Sequence, residues 1–373
     1  MDNTIKYKLD CRYFNGEKPC IYKRTCNDCP EYSPMGFRIL IIKLGAMGDV
    51  LRTTSILPHL KKRYPDSHIT WVVETASLPL IRNNPLIDKI LVHDETIQMQ
   101  LQAEKFDLLI SLEKIPKGTA LAELVDAQQK EGFGLSQYGT PYPYSPRSEY
   151  AFKLGISDEL KFKINQKTYQ QIIFEILDFE YKEKEYLLKT SPEKDKVMKK
   201  KLLDIGLDLS KPIIGIAPGS GAVFANKNWN VPKYISLVNK LSKNHSLQVV
   251  LLGGKSDQAI CDAISKNLEV DHLYDTGRDN SLEDYISLLK YIDLVVSGDT
   301  LPMHIALANG KKVVTLFGPT CHQEIEMFER GRAIVSNIEC APCYKGKCDI
   351  HPNCMDLIQI DEVYDAVMGL IHA

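Results

Sequence analysis

The stretch Arg38-Ile-Leu-Ile-Ile-Lys-Leu44, followed at once by Gly45-Ala46-Met47-Gly48 and a helical pattern from about Asp49, constrains the fold more than any other part of the chain. A short, continuous apolar run reads as a strand covered on both faces, as in a parallel sheet, whose strands must be joined by crossover helices. Further strands are predicted over 69–73, 89–92 and 106–111, with helix-like segments between them. A second alternating series follows, with strands at 212–217, 248–252, 272–274, 294–297 and 312–317 and helices at 232–242, 257–265, 282–291 and 302–308. Two doubly wound halves predict a cleft between them, with ligands beyond the C-terminal strand ends.

At 373 residues the chain exceeds what one core usually fills, so two domains are expected. The densely charged stretch from about Phe179 to Lys211, with Ser191-Pro-Glu-Lys-Asp-Lys196 ahead of a Lys-rich helix, reads as their connection, its charges as solvated surface. The resulting division is a Cys-rich extension over 1–36, a Rossmann-like domain over 37–190, and a linker with a second Rossmann-like domain over 191–373. A formal charge of −2 argues against a general nucleic-acid footprint, while a local basic cleft for a phosphorylated ligand is still allowed. Met1 to Lys8 lacks the apolar core of a secretory signal, and no stretch reaches membrane-spanning length, so a cytoplasmic protein is expected, peripheral wherever its substrate is membrane-borne.

Three motifs carry chemistry. In Lys43-Leu44-Gly45-Ala46-Met47-Gly48-Asp49-Val50, two glycines let the backbone approach a ligand and Asp49 falls at a helix start, where the simpler reading is an N-cap. Gly45-x-x-Gly48 lacks both the full dinucleotide fingerprint and a P-loop Gly-Lys-Ser. In Ala217-Pro218-Gly219-Ser220-Gly221, followed by Asn226-Lys227-Asn228-Trp229, backbone N–H groups, a hydroxyl and a mobile ammonium are on offer to a phosphate. In Ser297-Gly298-Asp299-Thr300-Leu301-Pro302-Met303-His304, a strand end passes into a helix start whose free N–H groups favour a diphosphate, with His304 on the first turn.

Taken in order with Phe317-Gly318-Pro319-Thr320, these motifs resemble the signature of glycosyltransferase family nine, the ADP-heptose transferases, from about Arg38 to the C-terminus. The resemblance implies a GT-B fold, two Rossmann-like domains facing a cleft, the first binding the acceptor and the second the nucleotide sugar. It implies an inverting, metal-independent transfer of heptose from an ADP-sugar, typically to the lipopolysaccharide inner core. Asp49 matches the proposed general base of the Gly48-Asp49-Val50 motif; Gly219, Ser220 and Lys227 match donor-phosphate positions, and Asp299-Thr300 the diphosphate loop, with His304 beside it. Leu301 departs from the glycine that many members carry there, which bears on phosphate approach and donor preference. The alternatives are another nucleotide sugar, a protein Ser/Thr acceptor, and, in a different class, a non-catalytic metal-binding sensor or assembly module. The acceptor is expected to be a glycolipid or a protein, and self-assembly is compatible with the family.

All of the ten cysteines except Cys261 and Cys321 fall into two groups, Cys11, Cys20, Cys26 and Cys29 near the start and Cys340, Cys343, Cys348 and Cys354 within a Cys-rich segment over 340–354. Cys26/Cys29 and Cys340/Cys343 have the C-x-x-C spacing suited to tetrahedral thiolate ligation. Structural zinc is the first expectation at each group; iron, an iron–sulfur centre, disulfides or free thiols are the others. The C-terminal group loosely resembles the iron site of protein-modifying heptosyltransferases related to the family. No catalytic metal is expected.

Overall fold

The computed structural model describes residues 7–219, 227–268 and 273–372. The first half holds strands β1 (Arg38–Ile42), β2 (His68–Val73), β3 (Lys89–Val92), β4 (Lys105–Ser111), β5 (Asp126–Leu135) and β6 (Pro141–Pro143). The second holds β7 (Ile213–Ala217), β8 (Gln248–Leu251), β9 (Tyr274–Asp275), β10 (Leu294–Gly298), β11 (Lys312–Phe317) and β12 (Gly331–Val335). The orders are β3-β2-β1-β4-β5-β6 and β9-β8-β7-β10-β11-β12, the same winding twice over, with every pairing parallel except β5 with β6. This is the two-domain architecture the resemblance implied.

The reason lies in the two central strands. β1 (RILII) is buried from its second residue on and β7 (IIGIA) throughout, so each needs helices on both faces. In each half the winding reverses between the first and fourth strand, and the segments leaving β1, β4, β7 and β10 border a crevice at that reversal. One apolar cluster, including Ile39, Ile41, Trp71, Met303 and Leu307, runs continuously through both halves. At its centre the helix Met47–Thr53 packs directly on the helix Leu301–Ala308.

Several expectations are corrected. β1 ends at Ile42, and Lys43 and Leu44 belong to the turn. The last strand of the second half's first three is Tyr274–Asp275, shorter than predicted; His272 lies outside the described residues. β5, β6 and β12 were not predicted, because the opening residues of β5, Asp-Ala-Gln-Gln-Lys-Glu, lie largely exposed near a sheet edge and carry no apolar run. The Lys-rich helix of the charged connection starts earlier than read, at Pro192 under a Ser191 cap, and runs to Asp204, and its charges are not all solvated: Lys194 meets Asp284 at 2.7 Å and Lys290 meets Asp195. Residues 7–36 contain no helix and a single isolated bridge, Cys11 to Pro34. Among the described residues, no helix is long and apolar enough to cross a membrane.

Gly132 tests the placement of β5. Its φ of +94° and the Ser111 carbonyl oxygen, 1.9 Å from where a Cβ would stand, leave no room for a side chain. Gly132→Ala is expected to lower the unfolding free energy by at least about 2 kcal/mol, read from urea midpoints, through backbone strain and overpacking.

Candidate active site

The turn after β1 is held from beneath by Glu113, which leaves the end of β4. Its Oε1 accepts the backbone N–H of Leu44 at 2.8 Å and of Gly45 at 3.2 Å, and lies 3.1 Å from the Lys43 ammonium. Lys43 also reaches Asp49 Oδ2 at 3.4 Å, and Arg52, one helical turn on, donates to Asp49 Oδ1. Asp49 is therefore no N-cap: Ala46 takes that position, and the Asp49 carboxylate is gripped by two cations with its side chain 30% exposed to the cleft. Burial works to raise Asp49, but the Arg52 and Lys43 charges outweigh it and hold the carboxyl well below the usual range. Burial likewise opposes the charge on Lys43, which Asp49 and then Glu113 restore, so that its ammonium is held more firmly than usual. Asp49, Lys43 and Arg52 are therefore all ionised near neutrality.

Facing them is the rim of the second half. Lys227 Nζ lies 3.2 Å from Asp299 Oδ2 and donates to the Asp299 carbonyl at 3.2 Å. Thr300 stands at the N-cap of the Leu301 helix without capping it; its hydroxyl turns back to the Gly298 carbonyl at 3.3 Å. With no side-chain cap hydrogen bond there among the described residues, the positive pole of that helix is open at the cleft that Thr300 and Leu301 line. Burial would raise Asp299, but Lys227, His304 and Arg52 hold it below the ordinary carboxylate range. His304 is pushed down to about 3, by burial first and then by Arg52 and Lys227 against the opposing pull of Asp299 and Asp49. Its Nδ1 is buried without a hydrogen-bond partner among the described residues. Gly48 allows this ring in: a Cβ there would stand 2.7 Å from His304 Cδ2.

The cleft measures about 500 Å³ and takes Gly48, Asp49, Lys227, Asp299, Thr300, Leu301 and His304 into one lining. Two expected residues stand apart. Gly219 packs against Asp257, whose Oδ1 lies 2.0 Å from where its Cβ would be, and does not line the cleft; Ser220 lies outside the described residues. Sequence reasoning missed Arg52, Glu113, Lys114, Lys161, Glu324 and Tyr344. Of these, Arg52, at i+3 from Asp49 on a helix, was open to prediction; the others come from loops and distant segments. Arg52 donates to the Glu324 carbonyl at 3.3 Å, across the two halves. Lys161 lies 3.7 Å from the centre of the Tyr344 ring, which stacks on Phe162. Lys114 donates to the Ala151 carbonyl at 2.8 Å and is pushed down to about 8, by burial and then by Lys161.

The cysteines are grouped as expected but not assembled. Cys11, Cys20, Cys26 and Cys29 line a separate cavity, while Cys354 packs on Gly318 with Cys340, Cys343 and Cys348 close enough, after burial, to help raise its thiol to about 11. Among the described residues, however, no three His, Cys, Asp or Glu side chains are near enough to hold an ion, and the described cysteines stand as free thiols. Cys321 is instead buried, its thiol donating to the Lys161 carbonyl at 3.8 Å, and Cys261 is fully buried.

The sequence profile of glycosyltransferase family 9 (heptosyltransferase) matches residues 96–353. The chain belongs to glycosyltransferase family 9. A lipopolysaccharide core heptosyltransferase, OpsX, from Haemophilus influenzae is 24% identical over 303 residues, covering 77% of this chain and 81% of its own length. A family 9 transferase structure from Veillonella parvula superposes with a TM-score of 0.72 at 19% identity, over 90% of this chain and 97% of that one. The Escherichia coli ADP-heptose lipopolysaccharide heptosyltransferase II superposes with a TM-score of 0.67 at 19% identity, over 90% and 99%. This family 9 chain is thus a glycosyltransferase enzyme with the fold of its relatives.

The depressed His304 gives this glycosyltransferase a pH signature. Neutral when folded and with an unfolded value of about 6.5, His304 supports a stability that is full above about pH 6.5 and is lost as pH falls toward its folded value. The urea midpoint advantage of the wild type over His304→Asn is expected to shrink on going from about pH 7.5 to about pH 5. An advantage that stays constant or grows would contradict a neutral His304.

Proposed function

We propose that this enzyme transfers a heptosyl group from ADP-heptose, with inversion, to an acceptor of the lipopolysaccharide-core type. One observation carries the reading: the Asp49 carboxylate of the first half and the Lys227, Asp299, Thr300 rim of the second face one cleft. The ADP-heptose named for the Escherichia coli relative and the core acceptor named for the Haemophilus one supply the donor and acceptor classes. Lys114 and Lys161, set beside the apolar wall of Phe133, Ala151 and Leu154, supply positive charge and a nonpolar floor for a sugar bearing carboxylate or phosphate. A membrane-borne acceptor of this kind would be met by peripheral contact.

In this reading the acceptor hydroxyl donates a hydrogen bond to Asp49 and its oxygen bonds to the anomeric carbon from the face opposite the diphosphate. The bond from that carbon to the ADP oxygen breaks with its electron pair going to ADP, and the hydroxyl proton passes to Asp49. Because Arg52 and Lys43 make Asp49 a weak base, proton transfer comes late, when the attacking oxygen has become acidic; before that the carboxylate orients it. Negative charge growing on the leaving diphosphate meets the Lys227 ammonium and the open end of the Leu301 helix, already in place.

ADP should raise the melting temperature more than UDP, and Lys227→Ala should weaken that ADP effect. Asp49→Asn should bind ADP almost unchanged while lowering turnover with ADP-heptose by about 10²–10⁴-fold. Stronger stabilisation by UDP would select a different donor. Near-normal turnover of Asp49→Asn would remove Asp49 from the chemistry.

A further inference from the structure

Arg52 is a buried cation on the wall of the cleft, with a side chain only 10% exposed. Groups from three separate parts of the chain hold its guanidinium. Nη2 donates to Asp49 Oδ1 on the same helix, and Nη1 donates to the Glu324 carbonyl of the second half at 3.3 Å. The guanidinium carbon stands 4.2 Å from the centre of the Tyr169 ring, at the start of the helix Tyr169–Ile176. That ring is itself fixed. The Tyr169 hydroxyl meets the Thr53 hydroxyl at 3.0 Å, and Thr53 Oγ1 donates its one proton to the Asp49 carbonyl at 2.8 Å, so Tyr169 is the donor of the pair. Asp49 is thus tied to Arg52 by its side chain and to Thr53 by its backbone, with Tyr169 in contact with both.

The last torsion of an aspartate is broad and two-fold, so a carboxylate gripped at one point still turns. Asp49 is gripped at both oxygens, but unequally. Arg52 makes a charge-assisted hydrogen bond to Oδ1, whereas Lys43 stands 3.4 Å from Oδ2, beyond the usual hydrogen-bond length. Oδ2 is therefore the oxygen with capacity left for a further donor. The fork of the guanidinium is what lets one side chain serve Asp49 and the Glu324 carbonyl together; a lysine ammonium would match the charge without the fork.

We propose that Arg52 is a positioning residue for the transfer: taking Oδ1 of Asp49 while anchored on the Glu324 carbonyl and the Tyr169 ring, it aims Oδ2 at the acceptor hydroxyl. This role rests on the reading of Asp49 as proton acceptor. The two hydrogen-bond partners of Arg52, Asp49 and Glu324, are not the groups that meet the diphosphate in that reading, so its effect falls on turnover and leaves donor affinity nearly unchanged. Besides Arg52 and Lys43, Asp49 faces His304, neutral in the folded protein, Tyr169, kept protonated by burial, and Lys114, still charged below about pH 7. Loss of Arg52 removes the largest charge opposing burial, so Asp49 rises and begins to protonate as the pH falls.

Steady-state kinetics of the full-length protein with ADP-heptose tests this. Arg52→Gln should lower kcat about 10–100-fold near neutral pH, with KM for the donor within about twofold of the wild type and the ADP-induced rise in melting temperature retained. The ratio of wild-type to Arg52→Gln turnover should widen at least about twofold on going from about pH 6.5 to about pH 4.5. Arg52→Lys should restore a flat ratio, because the charge returns, while recovering only part of kcat, because the fork does not. Should Arg52→Gln fail to fold, Tyr169→Leu provides the readout, a lower kcat at unchanged KM. With Asp49→Asn inactive, a constant ratio, a loss carried by KM alone, full kcat in Arg52→Lys or unchanged kcat in Tyr169→Leu would each overturn the role of Arg52 alone. Near-normal turnover of Asp49→Asn would overturn it together with the reading beneath it.

Discussion

The site depends on the burial of Lys43 between two carboxylates. Removing an ammonium from water is costly, and the arrangement is tenable because Asp49 and Glu113 stand at 3.4 and 3.1 Å. Each carboxylate then has a second duty. Glu113 ties down the Leu44 and Gly45 N–H groups and so fixes the turn, and Asp49 takes the Arg52 guanidinium and presents what remains of its surface to the cleft. Lys43 is thus the brace between the floor of the turn and the carboxylate that faces the cleft. An electrostatic network fixed before substrate arrives needs little reorganisation during reaction.

The larger plan was legible in the sequence because it rests on short-range patterns. The apolar runs of β1, β3, β7 and β11 announce strands within a few residues of their observed limits, and the glycine and Thr300 turns mark where helices begin. What stayed hidden depends on distant partners. β5 gains its place by pairing with β4 and has no apolar signal of its own, and Glu113 matters only because β4 lies next to β1. The reading of Asp49 as an N-cap failed for a similar reason: local propensity ranks the cap first, whereas the Lys43 and Arg52 charges decide the orientation. At Gly219 the structure adds a packing reason for glycine that the motif alone did not announce, since a Cβ there would meet Asp257.

Cysteine spacing proved a guide to neighbourhood more than to coordination. Both groups were brought together by the fold, one around a cavity in the extension and one against the end of β11 through Gly318. Their settings differ. The second group belongs to the segment whose Tyr344 stacks on Phe162 at the mouth of the cleft, while the first lies among exposed residues beside the edge of the other half.

The contact of Gly48 with His304 has a mechanical consequence. The helix bearing Asp49 and the Leu301 helix touch through a hydrogen-only surface, with an aromatic ring seated against it and a shared core below. Two rods pressed together this closely cannot part without opening a void, which costs free energy in proportion to its volume. The contact therefore fixes how far the Asp49 carboxylate stands from the N-terminal end of the Leu301 helix.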